Sequence, residues 1–551
     1  MYGDNHGRIH SYIRNISTFN HLYPQEKVYL HFDNTGYYLG ETIWFKAYLV
    51  FAEDNTSSQI SNVLHVELLT PEGAVLETKK LKVENGQCHG EFALKYDLLR
   101  AGFYEVRAYT KAMLNFGEET VFSRVFPVFD TPSTEGEYKR KMTVRSRRER
   151  LPDQREKAPD RKDLNVSFFP EGGSLVSGLP CKVAFKATDD KGRNVSITGK
   201  IYDPDENEIG EWTTIHQGMG QFELISQKGK YRAKAVYNGK EYTFDLPSTL
   251  PSGYGMSVRN TRSGSLQVEL RKTPGLQEND SLGITFTCRG KLYAFDTFVF
   301  DESNRYSLHV AKSVFPAGVI QITLFNTQGE ILSERLSYIK YPDQTRLAIS
   351  NTHFSGKPYA PATIDFEVTD SLGMPLETTF SLSVRDADTT PAGRKDNIHT
   401  YLLLASELKG YIENPEYYFE SDDAEHQFAL DLLMLVQGWR RYDWRQLAGV
   451  KPFEVRHFIE KEILIEGKVL SVFKRKTEEN VEVTIWMSSG DQTSMQGKCL
   501  TDKNGTFNFA LGDLYGKWDL SLQTKQKGKR KDKMIILDRN ISPSPRHFAF
   551  Y

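Results

Sequence analysis

The sequence predicts a mainly β protein: tandem immunoglobulin-like β-sandwiches with a small helical insertion. Three observations carry this. Short runs alternate apolar and polar residues at period 2, roughly 8 to 15 residues apart, with no helical period between them. Turn motifs of the form Asp/Asn-x-x-Gly recur along the chain. The length of 551 residues, with 12% aromatics, allows about five cores of roughly 100 residues each.

Residues 1–20 form an N-terminal segment compatible with a helix. The first sandwich is expected over 21–130. In it Val28, Leu30 and Phe32 alternate with polar or amphipathic neighbours, Asn34-Thr35-Gly36 turns the chain, and Ile43, Phe45, Ala47 and Leu49 alternate again. Residues 131–163 break the pattern. Lys139 to Asp163 holds eleven Lys or Arg, five Asp or Glu and two Pro, with almost no large apolar side chains. Such a stretch builds no core and reads as an exposed linker or loop.

Further sandwiches are expected over 164–250 and 251–341, and the strands of another over 342–390, ending in Phe380-Ser381-Leu382-Ser383-Val384. A helical segment follows over 391–449. Ile398–Leu408 and Ala424–Val436 have helical character, Ser421-Asp422-Asp423 caps the second, and Gly438 ends it. Residues 450–551 return to β pattern.

One turn element recurs as Thr70-Pro71-Glu72-Gly73, Asp189-Asp190-Lys191-Gly192, Asn326-Thr327-Gln328-Gly329, Asp370-Ser371-Leu372-Gly373 and Asp502-Lys503-Asn504-Gly505. Glycine supplies the positive φ, and the leading Asp or Asn bonds its own backbone.

Net charge is only −2, so no basic footprint for nucleic acid exists at whole-chain level. No run of 18 apolar residues predicts a membrane span. Met1 to Asn20 lacks the apolar core of a signal peptide, and the chain is expected to start near a mature end. Cys88, Cys181, Cys288 and Cys499 fall in separate modules and read as small buried hydrophobes, without a zinc or disulfide framework.

Tyr23-Pro24-Gln25-Glu26-Lys27-Val28-Tyr29-Leu30-His31-Phe32-Asp33, followed by Tyr37 to Phe45, resembles a macroglobulin domain. Phe168-Phe169-Pro170-Glu171-Gly172-Gly173 and His216 to Phe222 resemble a second. Ile465-Glu466-Gly467-Lys468-Val469 with Thr501 to Phe507 is similar to a carboxypeptidase regulatory-like domain, a small transthyretin-like sandwich. Leu435-Val436-Gln437-Gly438-Trp439-Arg440-Arg441-Tyr442 is similar to the helical signature of Bacteroidota envelope proteins that join these domains. The resemblance implies a periplasmic or outer-membrane location. It also implies a continuation beyond Tyr551 into a TonB-receptor plug-like domain, so a truncated chain is expected. The Cys-Gly-Glu-Gln thioester motif is absent, since Cys88 is followed by His89-Gly90-Glu91, and covalent trapping of a protease is not expected.

The chemistry-bearing motifs are also absent: His-Glu-x-x-His, Gly-x-Ser-x-Gly, the phosphate loop and the dinucleotide fingerprint. No catalytic residue, metal or cofactor is expected. Asp203-Pro204-Asp205-Glu206-Asn207-Glu208 offers carboxylates for calcium but lacks the loop spacing, and reads as a hairpin tip. Two segments are candidate contact sites. Trp439, Arg440, Tyr442 and Trp444 carry interface-prone side chains, or alternatively dock the helices on a sandwich. Arg145, Arg147, Arg148 and Arg150 form a protease-sensitive segment. The expected function is a non-enzymatic binding or scaffold protein of the envelope, with a protein, peptide or glycan partner. Alternatives are a macroglobulin-like endopeptidase inhibitor without a thioester, a carbohydrate-binding module protein, and an enzyme whose site is assembled from distant loops.

Overall fold

The computed structural model describes residues 2–131, 134, 163–260, 264–276, 281–342, 345–357, 359–385, 396–437, 441–490, 493–512, 514, 516, 518–526, 529–530 and 533–537. The chain is mainly β, a series of small two-sheet sandwiches. It divides into two compact units.

One unit holds the helix α1 (Tyr2–Leu22) up to Phe19, together with the two middle sandwiches, a lone hairpin and the remaining helices. In its first sandwich a three-stranded sheet (Leu164–Pro170, Pro180–Asp189, Met219–Ile225) faces a four-stranded one (Thr198–Tyr202, Glu208–Thr213, Arg232–Tyr237, Lys240–Asp245). The core is built around Trp212, whose ring meets Phe185 edge-on with centroids 4.8 Å apart. Gly199 lies against that ring, where a Cβ would sit 2.6 Å from Trp212 Nε1.

The next sandwich repeats the plan, with Tyr254–Arg259, Ser265–Lys272 and Arg305–Ala311 facing Leu282–Cys288, Lys291–Phe298, Gly318–Phe325 and Ile331–Ile339. Leu282–Cys288 is buried on both faces. Ile284, Phe286 and Cys288 belong to the core, while Thr285 and Thr287 alternate with them. Helical chain covers that second face: α2 (Ile398–Leu403), α3 (Tyr417–Glu420), α4 (Ala424–Val436) and α5 (Trp444–Leu447). Asn397 and Thr400 form a capping box on α2. Asp423 caps α4 by accepting from His426 N at 2.9 Å. The helix expected to reach Leu408 stops at Leu403, and Ala405–Glu407 continues as a tighter turn. The second half of α4, Ala429–Val436, is apolar except for Asp431 and is buried, whereas Ala424, Glu425 and Phe428 are exposed. It packs against Ala184 and Met219 of one sandwich and Val319, Leu336 and Tyr338 of the other.

The other unit contains the N-terminal and C-terminal sandwiches. In the former, Glu26–Phe32, Thr42–Phe51 and Gln87–Ala93 face a five-stranded sheet that includes Val63–Leu69, Val75–Lys82, Gly102–Tyr109 and Phe122–Phe129. Alternation predicts Lys27–Phe32 as half-buried. Instead every residue but His31 is buried, and the buried Glu26 carboxylate accepts from Ser58, Ser61 and Thr110. The C-terminal sandwich sets Ile463–Leu470, Thr506–Leu511 and Met534–Leu537 against Glu482–Ser489, Ser494–Leu500, Trp518–Gln526 and Lys529–Arg530.

The recurring turn takes the same form in both units. Asp189, Asn326, Asp370 and Asp502 each accept two backbone N–H groups, from residues two and four further on, at 2.8–3.0 Å. Gly192, Gly329, Gly373 and Gly505 hold φ of 79°, 75°, 81° and 70°. Asp203 makes the same turn, with Glu206 in the positive-φ position. Its carboxylate is therefore a turn cap, in keeping with a hairpin tip.

Two expectations are corrected. Residues 342–390 do not form a sandwich among the described residues. They give one hairpin, Thr345–Phe354 with Ala362–Asp370, and Phe380–Val384 lies outside the named strands. Alternation reports an extended chain with one apolar side, but not whether a second sheet faces it. Of the cysteines, all free, Cys88 and Cys288 are buried, whereas Cys181 and Cys499 are only half-buried at strand edges.

Candidate functional site: charged joints between sandwiches

The most unusual side chains of the chain are charged groups inside otherwise apolar strands. Two groups of them, one in each unit, link separate elements of the fold.

The first centres on Arg335, in the strand Ile331–Ile339. Its Nε donates to Glu171 Oε1 at 3.0 Å and its Nη2 to Asp431 Oδ1 at 2.8 Å. Arg335 and Glu171 are almost fully buried, while Asp431 keeps partial access to water. Glu171 also accepts from Val258 N at 3.1 Å. One guanidinium thus joins the turn after the first strand of one sandwich, a strand of the next, and helix α4. Its fixed fork suits this: separate N–H groups reach two carboxylates in different directions.

The second lies in the other unit, on one face of Val63–Leu69 and Gly102–Tyr109. Glu67 and Arg107 are cross-strand neighbours, as are His65 and Tyr109. Arg107 Nη2 donates to Glu67 Oε2 at 2.8 Å and Tyr109 OH to Glu67 Oε1 at 2.9 Å. His65 lies flat on Tyr109, and its Nε2 is 2.6 Å from Glu460 Oε2. Lys111 Nζ reaches Glu460 Oε1 at 3.1 Å and also bonds Glu466. Burial pushes the Tyr109 phenol well above its usual range, and Glu67 adds to this. Burial alone would raise Glu460, but the His65 hydrogen bond and the charges of His65 and Lys111 hold it below the usual carboxylate range. Burial would lower Lys111, yet Glu466 and Glu460 outweigh it and raise it. Asn62 and Asn115 extend the seam through bonds to Lys461 O and His457 O at 2.9 and 2.7 Å. The first sandwich is thereby tied to the segment that leads into the C-terminal one.

Chemically these arrays are closed. Each acid meets a base or a hydroxyl of the protein at hydrogen-bond distance. Among the described residues no three His, Cys, Asp or Glu side chains converge as metal ligands.

Of the candidate contact residues, Trp439 and Arg440 lie outside the described residues, as do Arg145, Arg147, Arg148 and Arg150. Tyr442 and Trp444 are 6% and 1% exposed, so neither is a surface contact and the docking alternative describes both. Trp444 Nε1 donates to Thr285 Oγ1 at 3.0 Å, and its ring packs on Phe325 and Tyr12. It fastens α5 and α1 to the outer face of a sandwich. Tyr442 lines a small cavity of about 10 Å³ with Arg289, Arg441, Glu407 and Gln321, the room of one water. Burial, with Glu407 nearby, pushes its phenol far above the usual range.

Sequence reasoning missed Arg335, Glu171, Asp431, Lys111 and Glu460. The available signal was a charge at a core position of an apolar strand, as in Ile331-Leu332-Ser333-Glu334-Arg335-Leu336 and Val63-Leu64-His65-Val66-Glu67-Leu68.

No protein-family model matches the chain. No curated protein matches it either. Among solved structures it is similar to Escherichia coli alpha-2-macroglobulin activated by porcine elastase, at 11% identity over 93% of this chain and 44% of that one, with a TM-score of 0.21. A tetra-tandem repeat from the extending region of a large adhesion protein gives 10% identity, 93% and 97% coverage and a TM-score of 0.17. The Escherichia coli adhesin FdeC gives 9%, 58% and 97%, with a TM-score of 0.14. The chain thus spans less than half the length of that macroglobulin. Scores this low leave the function to be argued from the chain's own residues.

Proposed function

We propose that this protein is a non-enzymatic scaffold, with sandwiches held in fixed geometry within each of its two units to present loops and edges to a protein, peptide or glycan partner. The carrying observation is the placement of Arg335 and Lys111. The buried charges tie sandwich to sandwich and sandwich to helix, whereas a flexible string of modules needs no such ties. The Trp444 anchor supports the same reading, since it converts an interface-prone segment into internal bracing. Work in the cell envelope, beside a TonB-linked outer-membrane assembly, is the finer part of the proposal. It follows the resemblance of the opening and Gly-Trp-Arg-Arg segments. No helix among the described residues is long and apolar enough to cross a membrane.

The test is a peptidase challenge. The full chain is incubated with trypsin, and hydrolysis of a large protein substrate and a small chromogenic one is followed. A scaffold leaves both rates unchanged even where it is cleaved. Loss of activity on the large substrate, with the small one spared, would replace this reading with steric trapping of the peptidase.

A further inference from the structure

In the C-terminal sandwich, the loop between the strands Ile463–Leu470 and Glu482–Ser489 differs from the Asp-x-x-Gly turns. Leu470 and Thr477 form a bridge at its base. Beyond that bridge the chain closes on itself: Ser471 N donates to Lys476 O at 2.9 Å and Arg475 N to Ser471 O at 3.0 Å. Arg475 takes the left-handed conformation, φ 47°, that glycine fills in the other turns. The tip is Val472-Phe473-Lys474-Arg475-Lys476, and all five residues are exposed. Phe473 is 98% exposed and Val472 45%. Turn geometry asks for neither side chain, and both leave apolar surface in water.

Cations gather around this tip. The turn Asp502-Lys503-Asn504-Gly505 lies at its base, since Thr501 Oγ1 donates to Glu478 O at 2.7 Å and Asn480 N to Thr501 O at 3.0 Å. On the adjoining strand Lys525 stands opposite Glu482, with Arg530 opposite it in turn. Among the described residues of this end, 471–482, 501–505, 525–526, 529–530 and 533, eight Lys or Arg stand against four Asp or Glu, that is 8 − 4 = +4, within a chain of net −2. Two of the acids are already engaged. Glu478 meets Lys533 Nζ at 2.9 Å, and Asp502 caps its own turn. Lys474, Arg475, Lys476 and Lys503 are exposed to water.

We propose that this end of the C-terminal sandwich is a membrane-contact site: the tip inserts Phe473 and Val472 among the head groups of an anionic bilayer, and the surrounding cations hold the lipid phosphates. An anionic lipid surface answers both halves of the site. Apolar side chains bury at the boundary of head groups and acyl chains, while Lys and Arg are drawn to the negative leaflet. A convex tip offers a folded partner no groove, whereas a fluid interface yields around it. A nucleic acid would meet the charge and could stack a base on Phe473, but gives Val472 nothing to bury in. A second copy of the chain would set +4 against +4. The contact is independent of the scaffold reading, because the peptidase challenge does not report on lipid.

Flotation of the full chain with vesicles tests this. Vesicles of phosphatidylcholine with about 30% phosphatidylglycerol should carry the chain, and pure phosphatidylcholine should not. Added salt should release it. Lys474→Gln with Arg475→Gln and Lys476→Gln should weaken binding about 100-fold, at about fivefold for each cation. Phe473→Ser should weaken it about 10-fold. All four side chains are exposed, so the melting temperature of each variant should match that of the wild type. On bound vesicles the added indole of Phe473→Trp should be quenched by lipids brominated in their acyl chains. A chain that ignores anionic vesicles at low salt overturns the proposal, as does binding that the triple substitution leaves intact. An unquenched Phe473→Trp rules out insertion, and tighter binding to a single-stranded oligonucleotide than to the vesicles would replace the bilayer with a nucleic acid.

Discussion

Replacing Arg335 by Ala tests the account of the joints most directly. Glu171 is nearly inaccessible to water and has two strong donors, Arg335 Nε and Val258 N. Removing the guanidinium leaves a buried carboxylate with one amide for company. Losing one member of a buried pair typically costs 3–5 kcal/mol, most of it from stranding the remaining charge. Asp431 adds little, because it retains access to water. At about 1.5 °C per kcal/mol for a unit of roughly 300 residues, Arg335→Ala should lower the melting temperature of its unit by roughly 5–8 °C. The decisive comparison is Arg335→Met with Glu171→Gln. This pair removes both charges, fills the guanidinium's space with an apolar chain and keeps an acceptor for Val258 N. It should recover at least half of the loss, since a buried ion pair exchanged for neutral groups of similar volume is often near neutral. Differential scanning fluorimetry, with calorimetry to resolve the two units, reads the result. If the single substitution costs less than ~1 kcal/mol, or if the double one is worse than the single, buried charge pairing does not brace this joint.

Three further outcomes are expected. Trp444→Ala should cost about 3–5 kcal/mol in chemical unfolding, and Trp444→Phe less, since it keeps the contacts with Phe325 and Tyr12 but loses the bond to Thr285. Gly199→Ala should destabilise its sandwich by about 1–3 kcal/mol or more, read as a lower melting temperature. Its Cβ would fall 2.1 Å from Lys234 O and 2.6 Å from the Trp212 nitrogen, and neither backbone nor buried indole can give way cheaply. The seam around Glu460 makes stability depend on pH at both extremes. A carboxyl held low stabilises fully above its unfolded value near pH 4 and loses that contribution as pH falls through its folded value; an ammonium held high, as in Lys111, loses its share as pH rises through its folded value. Unfolding curves at pH 3 to 5 should therefore be flatter for Glu460→Gln than for the wild type, and equal slopes would remove Glu460 from the seam.

The parts of this fold that were legible in the sequence are those written in neighbouring residues. An Asp or Asn three places before a Gly announces a turn, and four such turns share one hydrogen-bond pattern. The turn at Asp203 has the same geometry but escaped notice as a repeat, because Glu206 sits where the others have glycine. The cap at Asp423 was legible for the same local reason. The joints were not. Glu171 and Arg335 are 164 residues apart and Arg335 and Asp431 are 96 apart, so no spacing rule connects them. Interface-prone composition could not decide whether Tyr442 and Trp444 faced a partner or the chain's own sandwich, because both situations favour the same side chains. The lone hairpin shows the converse limit. Its period-2 pattern is that of a sandwich strand, and alternation alone does not say whether a second sheet faces it among the described residues.

The shared turn also bears on how such a chain reaches its native state. Asp189, Asn326, Asp370 and Asp502 each close a tight bend using atoms no more than four residues away. Closing so short a loop takes little time and loses little entropy. Pairing can therefore begin separately at each bend, before any distant segment has arrived, and successive modules can take shape as they emerge from a ribosome or a narrow pore. The charge cluster around Arg335, by contrast, needs segments 96 and 164 residues apart to meet, a far longer loop to close.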